Sequence, residues 1–265
     1  MKLKIGEHFF FFFFFLVMGI LNLTPDSFYD GGSHHNIDDV LKHCEKMLTE
    51  GADIIDIGAF SSRPGSEIIS VEDENSRLLP YLIEIKKRFP DTIISIDTFR
   101  KDVAKNAIDN GADIINDISG GLFDKDMLSY IGENHVPYIM MHMQGTPQNM
   151  QMNPHYDNLQ KEVFLYFAER VQKLRDLGVK DIIIDPGFGF GKTLEHNYEL
   201  MAHLEEFRVF ELPLLVGISR KSMIYKLLNT TPAESLNGTT ALNVLALIGG
   251  ANILRVHDVK AAVEA

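Results

Sequence analysis

The chain has 265 residues, of which 45% are hydrophobic and 23% are charged, and its formal net charge is −12 at pH 7. This length suits one large α/β domain, because a (β/α)8 barrel typically has about 250 residues. The acidic balance argues against a nucleic-acid partner, because binding to a phosphate backbone requires clustered Lys and Arg. The lone cysteine, Cys44, cannot form an internal disulfide, which suits a reducing cytoplasm. Its apolar neighbours at helical spacing favour a buried thiol over a nucleophile.

The N-terminal region carries seven consecutive phenylalanines at positions 9–15, preceded by Lys2 and Lys4. The run resembles part of a signal peptide, but it is shorter than the roughly 20 residues that span a bilayer, and no small-residue cleavage site follows it. We therefore expect no membrane segment. The run shows no periodicity, so residues 1–16 are interpreted as an irregular segment at the start of one domain that covers residues 1–265.

Eight short apolar runs follow along the chain, each nearly continuous, as expected of parallel strands that are covered on both faces. The runs are 17–23, 53–57, 92–96, 113–117, 137–142, 181–185, 214–218 and 253–257. Helical patterns separate them at 38–50, 72–88, 101–110, 158–177 and 232–248. Ser70 and Asp73 approximate a capping box before the second helix, and Pro80 predicts a kink or a restart inside it. Strands that alternate with helices, without a linker, predict a single (β/α)8 TIM barrel.

Polar residues stand at or just after the end of every predicted strand. In a (β/α)8 barrel the active site lies at the C-terminal ends of the strands, here called the mouth. The set comprises Asn22, Asp56, Ser61, Ser62, Arg63, Asp97, Asn116, Asp117, His142, Gln144, Asp185, Ser219, Arg220, Lys221, Arg255 and His257. Any one of them could simply cap the following helix. Since Lys and Arg are poor caps, the whole set predicts a functional site at the mouth.

The basic members of this set suit an anion, because Arg offers a planar fork to phosphate oxygens and Lys adds a point charge. Asn22, Lys221, Arg255 and His257 belong to the first, seventh and eighth strands, which are adjacent in a closed barrel and often form a phosphate site. The alternatives are surface solvation for the two cations and a satisfied core imidazole for His257.

The short acceptors at the ends of the third, fourth and sixth strands suit a different ligand. Asp97, Asn116 and Asp185 would match a flat heterocycle with several N–H donors, because a carboxylate accepts two parallel N–H bonds. A purely structural role is less favoured, because a buried carboxylate without a partner is costly.

A glycine-rich stretch at 187–193 superficially resembles a nucleotide-binding loop. The P-loop pattern requires a glycine where Pro186 stands, and the dinucleotide pattern requires one where Lys192 stands. Both patterns fail. We interpret the stretch as a flexible loop after Asp185, with Phe190 as an apolar wall.

Several motifs together resemble those of the dihydropteroate synthases, in the order and spacing of that family. They are MGILNLTPDSF at 18–28, IDIG at 55–58, SSRPG at 61–65, SIDT at 95–98, IND at 115–117, DPGFGFGK at 185–192, SRKS at 219–222 and RVHD at 255–258. The resemblance covers roughly residues 17–265. It implies an enzyme that condenses 6-hydroxymethyl-7,8-dihydropterin diphosphate with 4-aminobenzoate, giving 7,8-dihydropteroate and diphosphate. It also implies inhibition by sulfonamides, a need for Mg2+, and a cytoplasmic homodimer formed through the last helices.

The resemblance further implies roles for individual residues. The pterin ring would be held by Asp97, Asn116, Asp185, Lys221, Phe190 and Gly217. The diphosphate would be bound by Asn22, Ser62, Arg63, Arg255 and His257, with Asn22 also a ligand of Mg2+. The aminobenzoate site would be formed by Phe28, Arg63, Pro64, Phe190, Ser219, Arg220 and Lys221. The charges that promote the reaction would be those of Asp97, Asp185 and Lys221.

The chain departs from the family pattern in its second loop, which reads GAFSSR at 58–63. Many members have Gly-Glu-Ser-Thr before the arginine, so Phe60 replaces an acid, while Ser62 keeps the hydroxyl. Two other functions are compatible with the barrel. A pterin-dependent methyltransferase would share the pterin residues but not need the aminobenzoate and diphosphate residues, and a catalytically silent pterin-binding homologue would have lost some of them. The intact motifs at 62–65 and 219–221 favour the synthase.

Overall fold

A computed structural model describes residues 2–5, 8–11, 15–23, 37–59 and 69–265. Within them the strands are β1 (Lys2–Ile5), β2 (His8–Phe11), β3 (Leu16–Asn22), β4 (Ile54–Gly58), β5 (Ile93–Asp97), β6 (Ile114–Asp117), β7 (Tyr138–Met141), β8 (Ile182–Asp185), β9 (Leu215–Val216) and β10 (Ile253–Val256). The helices are α1 (Ile37–Thr49), α2 (Val71–Arg88), α3 (Lys101–Asp109), α4 (Met127–Asn134), α5 (Leu159–Asp176), α6 (Leu194–Ala202), α7 (Ser222–Tyr225), α8 (Leu236–Ile248) and α9 (Val259–Val263), with a 3-10 segment at Leu204–Phe210.

Strands β3 to β10 form one parallel sheet in the spatial order β8-β7-β6-β5-β4-β3-β10-β9. Leu214, just before β9, forms a parallel bridge with Ile184 of β8, so the two end strands meet. All eight predicted barrel strands are present, and the predicted (β/α)8 barrel is confirmed. Strand β9 is only two residues long, shorter than the predicted 214–218.

Each strand presents alternate residues to the inside and the outside of the barrel. One set forms a buried layer low inside the barrel: Leu16, Met18, Ile54, Ile93, Ile114, Ile139, Ile183, Leu215 and Ile253. Continuing upward in steps of two from this layer leads to Asn22, Asp56, Asp97, Asn116, Asp185, Gly217 and Arg255. The pleat of the sheet therefore aims these residues inward, just below the mouth.

The N-terminal residues close the opposite end of the barrel. Strands β1 and β2 pair in antiparallel fashion, and Leu3 and Ile5 are at most 1% exposed and pack in the inner layer. The backbone N–H of Lys4 donates to Asp181 Oδ1 at 2.7 Å. The prediction of an irregular segment over residues 1–16 is therefore wrong for the described part of it. The alternation of Leu3 and Ile5 around Lys4 already has the period of a strand with one buried face.

Side chains that precede strands tie neighbouring strands together at this lower end. Asp53 Oδ2 accepts the backbone N–H of Val17 at 2.8 Å, and Asp113 Oδ2 accepts that of Ile94 at 2.9 Å. Asn252 makes the equivalent contact before β10. Such bonds satisfy backbone donors where the strand ladder begins. The lower end is thus structural, which leaves the mouth for function.

The helices follow the sequence pattern with two differences. Helix α2 continues through Pro80 as one helix, so the restart that Pro80 predicts does not occur. Its N-cap is confirmed, since Ser70 accepts the N–H of Asp73 at 3.0 Å. Helix α8 begins four residues after the predicted start at Pro232, because the carbonyl groups there face Arg220. None of the helices among the described residues has the length and apolar character needed to cross a membrane.

The thiol of Cys44 is buried on the inner side of α1, as predicted. Burial, with a smaller contribution from Glu45, raises the pKa of this thiol to about 12. A protonated, inaccessible thiol is not a nucleophile. Cys44 therefore belongs to the core rather than to a reactive site.

Candidate active site

Three charged side chains meet in the centre of the mouth. Arg255 Nε donates to Asp56 Oδ2 at 2.7 Å, and Arg255 Nη2 donates to Asp97 Oδ2 at 2.9 Å. Asp56 is fully buried, and the side chains of Arg255 and Asp97 are 19% and 13% exposed. Among the described residues, Arg255 Nη1 has no hydrogen-bond acceptor. The guanidinium is thus fixed by two carboxylates and keeps one amino group for a ligand.

Asp56 is a site residue to which the sequence assigns no specific role. Besides binding Arg255, it accepts a hydrogen bond from Asn116 Nδ2 at 3.2 Å. Asn116 is the direct register partner of Asp97 on the neighbouring strand. A signal was present in the sequence, because two isoleucines precede both Asp56 and Asn116, which places the two residues at equivalent heights in their strands.

The ionisation of Asp97 is shifted by this environment. Burial raises its pKa to about 7, with Arg255 opposing the rise and the nearby carboxylate of Asp56 adding to it. Near neutral pH this carboxyl group can therefore accept hydrogen bonds as an anion or donate one as an acid. Buried carboxyl groups with such pKa values are concentrated at functional sites.

A second pair belongs to β8 and to the loop after β9, beside the strand that carries Arg255. Asp185 Oδ1 accepts the N–H of Gly187 at 2.8 Å, and burial raises the pKa of this carboxyl group, with Lys221 opposing the rise. Lys221 Nζ donates to the carbonyl oxygen of Phe188 at 2.6 Å and lies 4.7 Å from the ring centroid of Phe190. Burial lowers the pKa of Lys221 to about 8, against the attraction of Asp185.

An apolar wall beside these polar groups is rich in methionine. The sequence analysis does not assign these methionines to the site. Ile118, Met141, Met143 and Met150 form a buried cluster against which Phe99 and Phe190 pack. Methionine adapts its shape and contacts aromatic rings favourably. The predicted place of Phe190 on an apolar wall is consistent with this cluster, which would suit the faces of a flat ring.

His257 and Ser219 form a third element of the mouth. The Ser219 hydroxyl lies 3.0 Å from His257 Nδ1 and accepts the backbone N–H of His257 at 3.2 Å. Desolvation of the ring and the charge of Arg255 lower the pKa of His257 to about 4, so the imidazole is neutral. We assign the ring proton to Nε2, with Nδ1 accepting from Ser219. Nε2–H is then a donor available to an anion.

Arg220 contributes to the mouth through the backbone that it holds. Its Nε and Nη2 donate to the two oxygens of Asp258 at 2.8 and 2.9 Å, and its Nη1 donates to the carbonyl oxygens of Pro232 and Ala233. The residue adopts a left-handed conformation, with φ of 56°. The guanidinium thus ties the loop after β9 to the residues after β10 and before α8.

Three predicted members of the strand-end set do not reach the mouth, and this part of the prediction is wrong. Asp117 and His142 have the outward parity, since each follows an inward residue by one position. Asp117 accepts the hydroxyl of Tyr138 at 2.7 Å, and His142 contacts Lys192. Gln144 Nε2 donates to a backbone carbonyl oxygen at 2.8 Å in the adjoining loop.

Of the remaining predicted residues, the structure describes some and not others. Asn22 ends β3 and is half-buried at the rim of the mouth. Gly217 lies beside Arg255, and a Cβ at this position would meet Arg255 Cβ at 3.6 Å, an ordinary contact distance. Five predicted residues lie outside the described residues: Phe28, Ser61, Ser62, Arg63 and Pro64. Within the described part of the chain, no cluster of three His, Cys, Asp or Glu side chains could hold a metal ion.

The arrangement of charged groups at the mouth indicates an enzyme that binds small molecules. A (β/α)8 barrel with buried acids, an amide and a lysine beside an arginine and a neutral histidine can bind a polar heterocycle and an anion at one mouth. A family model described as a pterin binding enzyme matches residues 18–257.

Comparison with individual proteins is consistent with that match. The Escherichia coli K12 dihydropteroate synthase is 49% identical over 251 residues, covering 94% of this chain and 88% of the relative. A Yersinia pestis dihydropteroate synthase in complex with a sulfonamide drug superposes with a TM-score of 0.93 at 44% identity, covering 100% of this chain and 96% of that one. A Xanthomonas albilineans dihydropteroate synthase with 4-aminobenzoic acid gives 0.92 at 36% identity, covering 99% and 94%. The chain belongs to the dihydropteroate synthase family of pterin-binding enzymes.

Proposed function

We propose that the protein is a transferase that joins 6-hydroxymethyl-7,8-dihydropterin diphosphate to 4-aminobenzoate, forming 7,8-dihydropteroate and diphosphate. The observation that supports this most is the convergence of Asp97, Asn116, Asp185, Lys221 and Arg255 on one mouth, with Asp56 holding two of them. A sulfonamide would then compete with 4-aminobenzoate.

The inward acids and amide suit the hydrogen-bonding edge of a pterin. An ionised carboxylate accepts two N–H bonds, and Asn116 offers both a donor and an acceptor. We assign Asp97, Asn116 and Asp185 to the ring edge and Lys221 to a ring acceptor. Phe190 would cover one face of the ring. These polar groups lie deep enough in the barrel that the methyl carbon of the pterin would point towards the rim.

Diphosphate would lie nearer the rim. Arg255 Nη1 and the Nε2–H of His257 are donors that face no described acceptor, and Asn22 stands beside them on the adjacent strand. Ser62 and Arg63 are proposed to complete this site. The negative charge that develops on the leaving diphosphate would thus meet preorganised donors, which is the arrangement that lowers a barrier most effectively.

The reaction is proposed to begin with cleavage of the C–O bond, whose electron pair leaves with the diphosphate. The methyl carbon becomes cationic, and the anionic carboxylates of Asp97 and Asp185 stabilise it. The amine nitrogen of 4-aminobenzoate then forms the new C–N bond, and one proton leaves that nitrogen for diphosphate or water. Phe28, Pro64, Ser219 and the backbone held by Arg220 would orient the aminobenzoate. Excluding other water protects the cation from capture.

The donor set near Asn22 is compatible with Mg2+ bound together with the substrate. Mg2+ prefers oxygen ligands and commonly uses one or two protein groups together with substrate phosphates and water. Asn22 supplies an amide oxygen, and Asp56 is already engaged by Arg255 and Asn116. When bound, Mg2+ would supply positive charge to the diphosphate oxygens. We therefore propose an ion that arrives with the diphosphate rather than one held by the empty protein.

Chelation of divalent metal is expected to suppress turnover and to leave the thermal unfolding temperature of the ligand-free protein unchanged. Asn22→Ala is expected to raise the Mg2+ concentration needed for half-maximal turnover, because one oxygen ligand is lost. Turnover is measured against Mg2+ concentration, with unfolding followed by circular dichroism. Full activity in excess EDTA would remove Mg2+ from the scheme.

The pH dependence of turnover follows from two pKa values. Asp97 stabilises the cation only as an anion, so activity should rise as pH increases through its pKa of about 7. Lys221 donates as a cation, so activity should fall as pH increases through its pKa of about 8. We expect a bell-shaped profile of kcat/KM between about pH 5 and pH 10. In Asp97→Asn the acidic limb should disappear, and its persistence would show that another group titrates there.

We also propose that the protein is a cytoplasmic homodimer. The location is supported by the unpaired Cys44. Exposed apolar side chains on and beside α8 support the dimer, since Leu245 and Ile248 are 52% and 71% exposed and Val209 is 70% exposed. Such patches mark association surfaces. Sedimentation of the wild type and of Leu245→Glu tests this, because a monomer in both would exclude the α8 dimer.

The competing methyltransferase function is separated by its substrates. Wild-type protein is supplied with dihydropterin diphosphate, Mg2+ and 4-aminobenzoate in one reaction, and with methyltetrahydrofolate and a corrinoid in another. Dihydropteroate detected by chromatography in the first reaction alone supports the synthase. Methyl transfer in the second reaction alone would support the methyltransferase.

A further inference from the structure

A lysine that the proposed reaction does not use is buried beside the mouth, against the outward-facing His142. Lys192 is 3% exposed and lies between β8 and α6. Its Nζ is 2.9 Å from the carbonyl oxygen of Gly187, 3.2 Å from that of Phe190 and 3.0 Å from Nδ1 of His142. An ammonium group has three donors and no acceptor. Nζ also lies 3.5 Å from the carbonyl oxygen of His142, so its three hydrogens are shared among four acceptors.

Burial favours the neutral form of both side chains, which suits His142 as an acceptor and opposes the charge of Lys192. Burial, and then the charge of Lys192, lower the pKa of His142 well below its usual range, so the imidazole is neutral and can accept. Burial lowers the pKa of Lys192 to about 7, while Asp185 favours its charged form. A neutral amine has only two hydrogens to donate, so the ammonium form satisfies more of these acceptors.

Two acceptors of Lys192, the carbonyl oxygens of Gly187 and Phe190, lie in a tightly packed turn, residues 186–191, which we call the glycine turn. Gly187 has φ of 71°, and a Cβ there would lie 1.9 Å from the carbonyl oxygen of His142. Gly191 has φ of 62°, and its Cβ would lie 2.4 Å from the carbonyl oxygen of Gln144. Carbonyl groups turned into such a dry space need a donor. Lys192 supplies that donor to Phe190 and a second one to Gly187, whose carbonyl oxygen also accepts the N–H of Phe190 at 3.1 Å.

The glycine turn in turn orients two groups of the mouth. Its Gly187 N–H donates to Asp185 Oδ1 at 2.8 Å. Its Phe188 carbonyl oxygen accepts from Lys221 Nζ at 2.6 Å, and the ring of Phe190 lies 4.7 Å from the same Nζ. Lys192 thus contacts the turn on the side of His142, while Asp185 and Lys221 contact it from the side of the mouth.

We propose that Lys192 is a positioning residue for pterin binding, whose buried ammonium fixes the glycine turn and thereby aims Lys221 and Asp185 at the pterin. This rests on the proposed function, because it assigns the mouth to a pterin. Lys192 reaches Phe190 only through its backbone carbonyl oxygen, and it bonds to no side chain that is proposed to contact substrate. Its effect is therefore expected to pass through the residues that the turn holds.

The test uses Lys192→Met, which keeps the length of the side chain and removes its donors. Lys180→Met is the matched control, because it removes one positive charge from an exposed position outside the mouth. The probe is 6-hydroxymethylpterin, which lacks the leaving group, and its affinity is measured by calorimetry. We expect Lys192→Met to weaken binding by about 10- to 100-fold, since small displacements of binding groups have effects of this size. The control should bind like the wild type.

A double-mutant cycle with Lys221→Met separates positioning from general damage. If Lys192 acts through Lys221, adding Lys192→Met to Lys221→Met should weaken binding much less than it does in the wild-type background. Equal and additive losses in the two backgrounds would overturn the proposal. Unchanged affinity in Lys192→Met would also overturn it, even if the variant is less stable, because that result indicates a structural role alone.

Lys192→Gln is the second variant if Lys192→Met does not fold. Its amide can donate two hydrogens, so it should show an intermediate affinity for 6-hydroxymethylpterin, and wild-type affinity in this variant would contradict the proposal. Binding of 6-hydroxymethylpterin by the wild type separates a failure of the proposed function from a failure of the positioning role. Failure of the wild type to bind 6-hydroxymethylpterin would count against the proposed function, whereas wild-type binding by the Lys192 variants would count against the positioning role only.

Discussion

Replacing Asp97 with Asn is expected to lower kcat by about 10²- to 10³-fold, while the affinity for free diphosphate changes by less than about threefold. Arg255 Nη2 donates to Asp97 Oδ2 at 2.9 Å, and the amide oxygen of Asn can accept the same bond. The guanidinium therefore stays in place for the diphosphate. The change removes the negative charge that would face the cationic methyl carbon, so its cost appears in the transition state.

The measurement for Asp97→Asn compares kcat at saturating substrates with the inhibition constant of diphosphate. Asp91→Asn is the control, because Asp91 is an exposed acid on the turn before β5. Equal losses in kcat and in diphosphate affinity would show that Asp97 acts by holding Arg255, and the role assigned to its charge would have to be abandoned.

Arg255→Met is expected to weaken both the fold and the binding of diphosphate. It leaves the carboxylates of Asp56 and Asp97 close together without the cation that now lies between them. Removing one partner from a buried ionic cluster typically costs about 3–5 kcal/mol of stability. Loss of a charged hydrogen-bond donor should also weaken diphosphate binding by roughly 10- to 100-fold.

A second substitution separates these two effects. Asp56→Asn, added to Arg255→Met, removes one of the two facing charges and should recover part of the free energy of unfolding. It should not recover diphosphate affinity, because the guanidinium is still absent. Urea unfolding and calorimetry measure the two quantities, with exposed Arg175→Met as the control. Wild-type stability in Arg255→Met, or recovery of both quantities in the double variant, would contradict the ionic cluster described above.

The strands and the residues at their ends could be predicted from the sequence. Whether each of those residues faces the inside or the outside of the barrel could not be predicted from its place at a strand end. Apolar runs revealed each strand because both faces are buried. Asp117 ends β6 and His142 directly follows β7, much as Asp97 and Asp185 end their strands. Both residues nevertheless face outward, because each follows an inward-facing residue by one position. Counting inward steps from the lower layer would have separated the two groups. The identity of that layer required the register between strands.

The ionic contacts of Arg255 with Asp56 and Asp97 could not be predicted from sequence patterns. Arg255 is separated by 199 residues from Asp56 and by 158 from Asp97, so no local spacing connects them. The motifs indicated an anion site for Arg255, and only the closed barrel shows that two carboxylates share it. The role of Lys192 could not be predicted either, although its neighbours are close in sequence. It lies in a glycine-rich stretch that matches neither of two phosphate-binding patterns. The structure shows that its ammonium instead binds carbonyl groups of that same stretch.

The central claim is that this mouth cleaves the pterin diphosphate and delivers the pterin methyl carbon to 4-aminobenzoate. Diphosphate release by the purified protein, with dihydropterin diphosphate and Mg2+ present, tests it most directly when measured with and without 4-aminobenzoate. We predict fast release that depends on 4-aminobenzoate, is blocked by a sulfonamide and is greatly reduced in Asp97→Asn. Tight pterin binding without release under any of these conditions would contradict the account and would indicate a silent pterin-binding homologue or a methyltransferase.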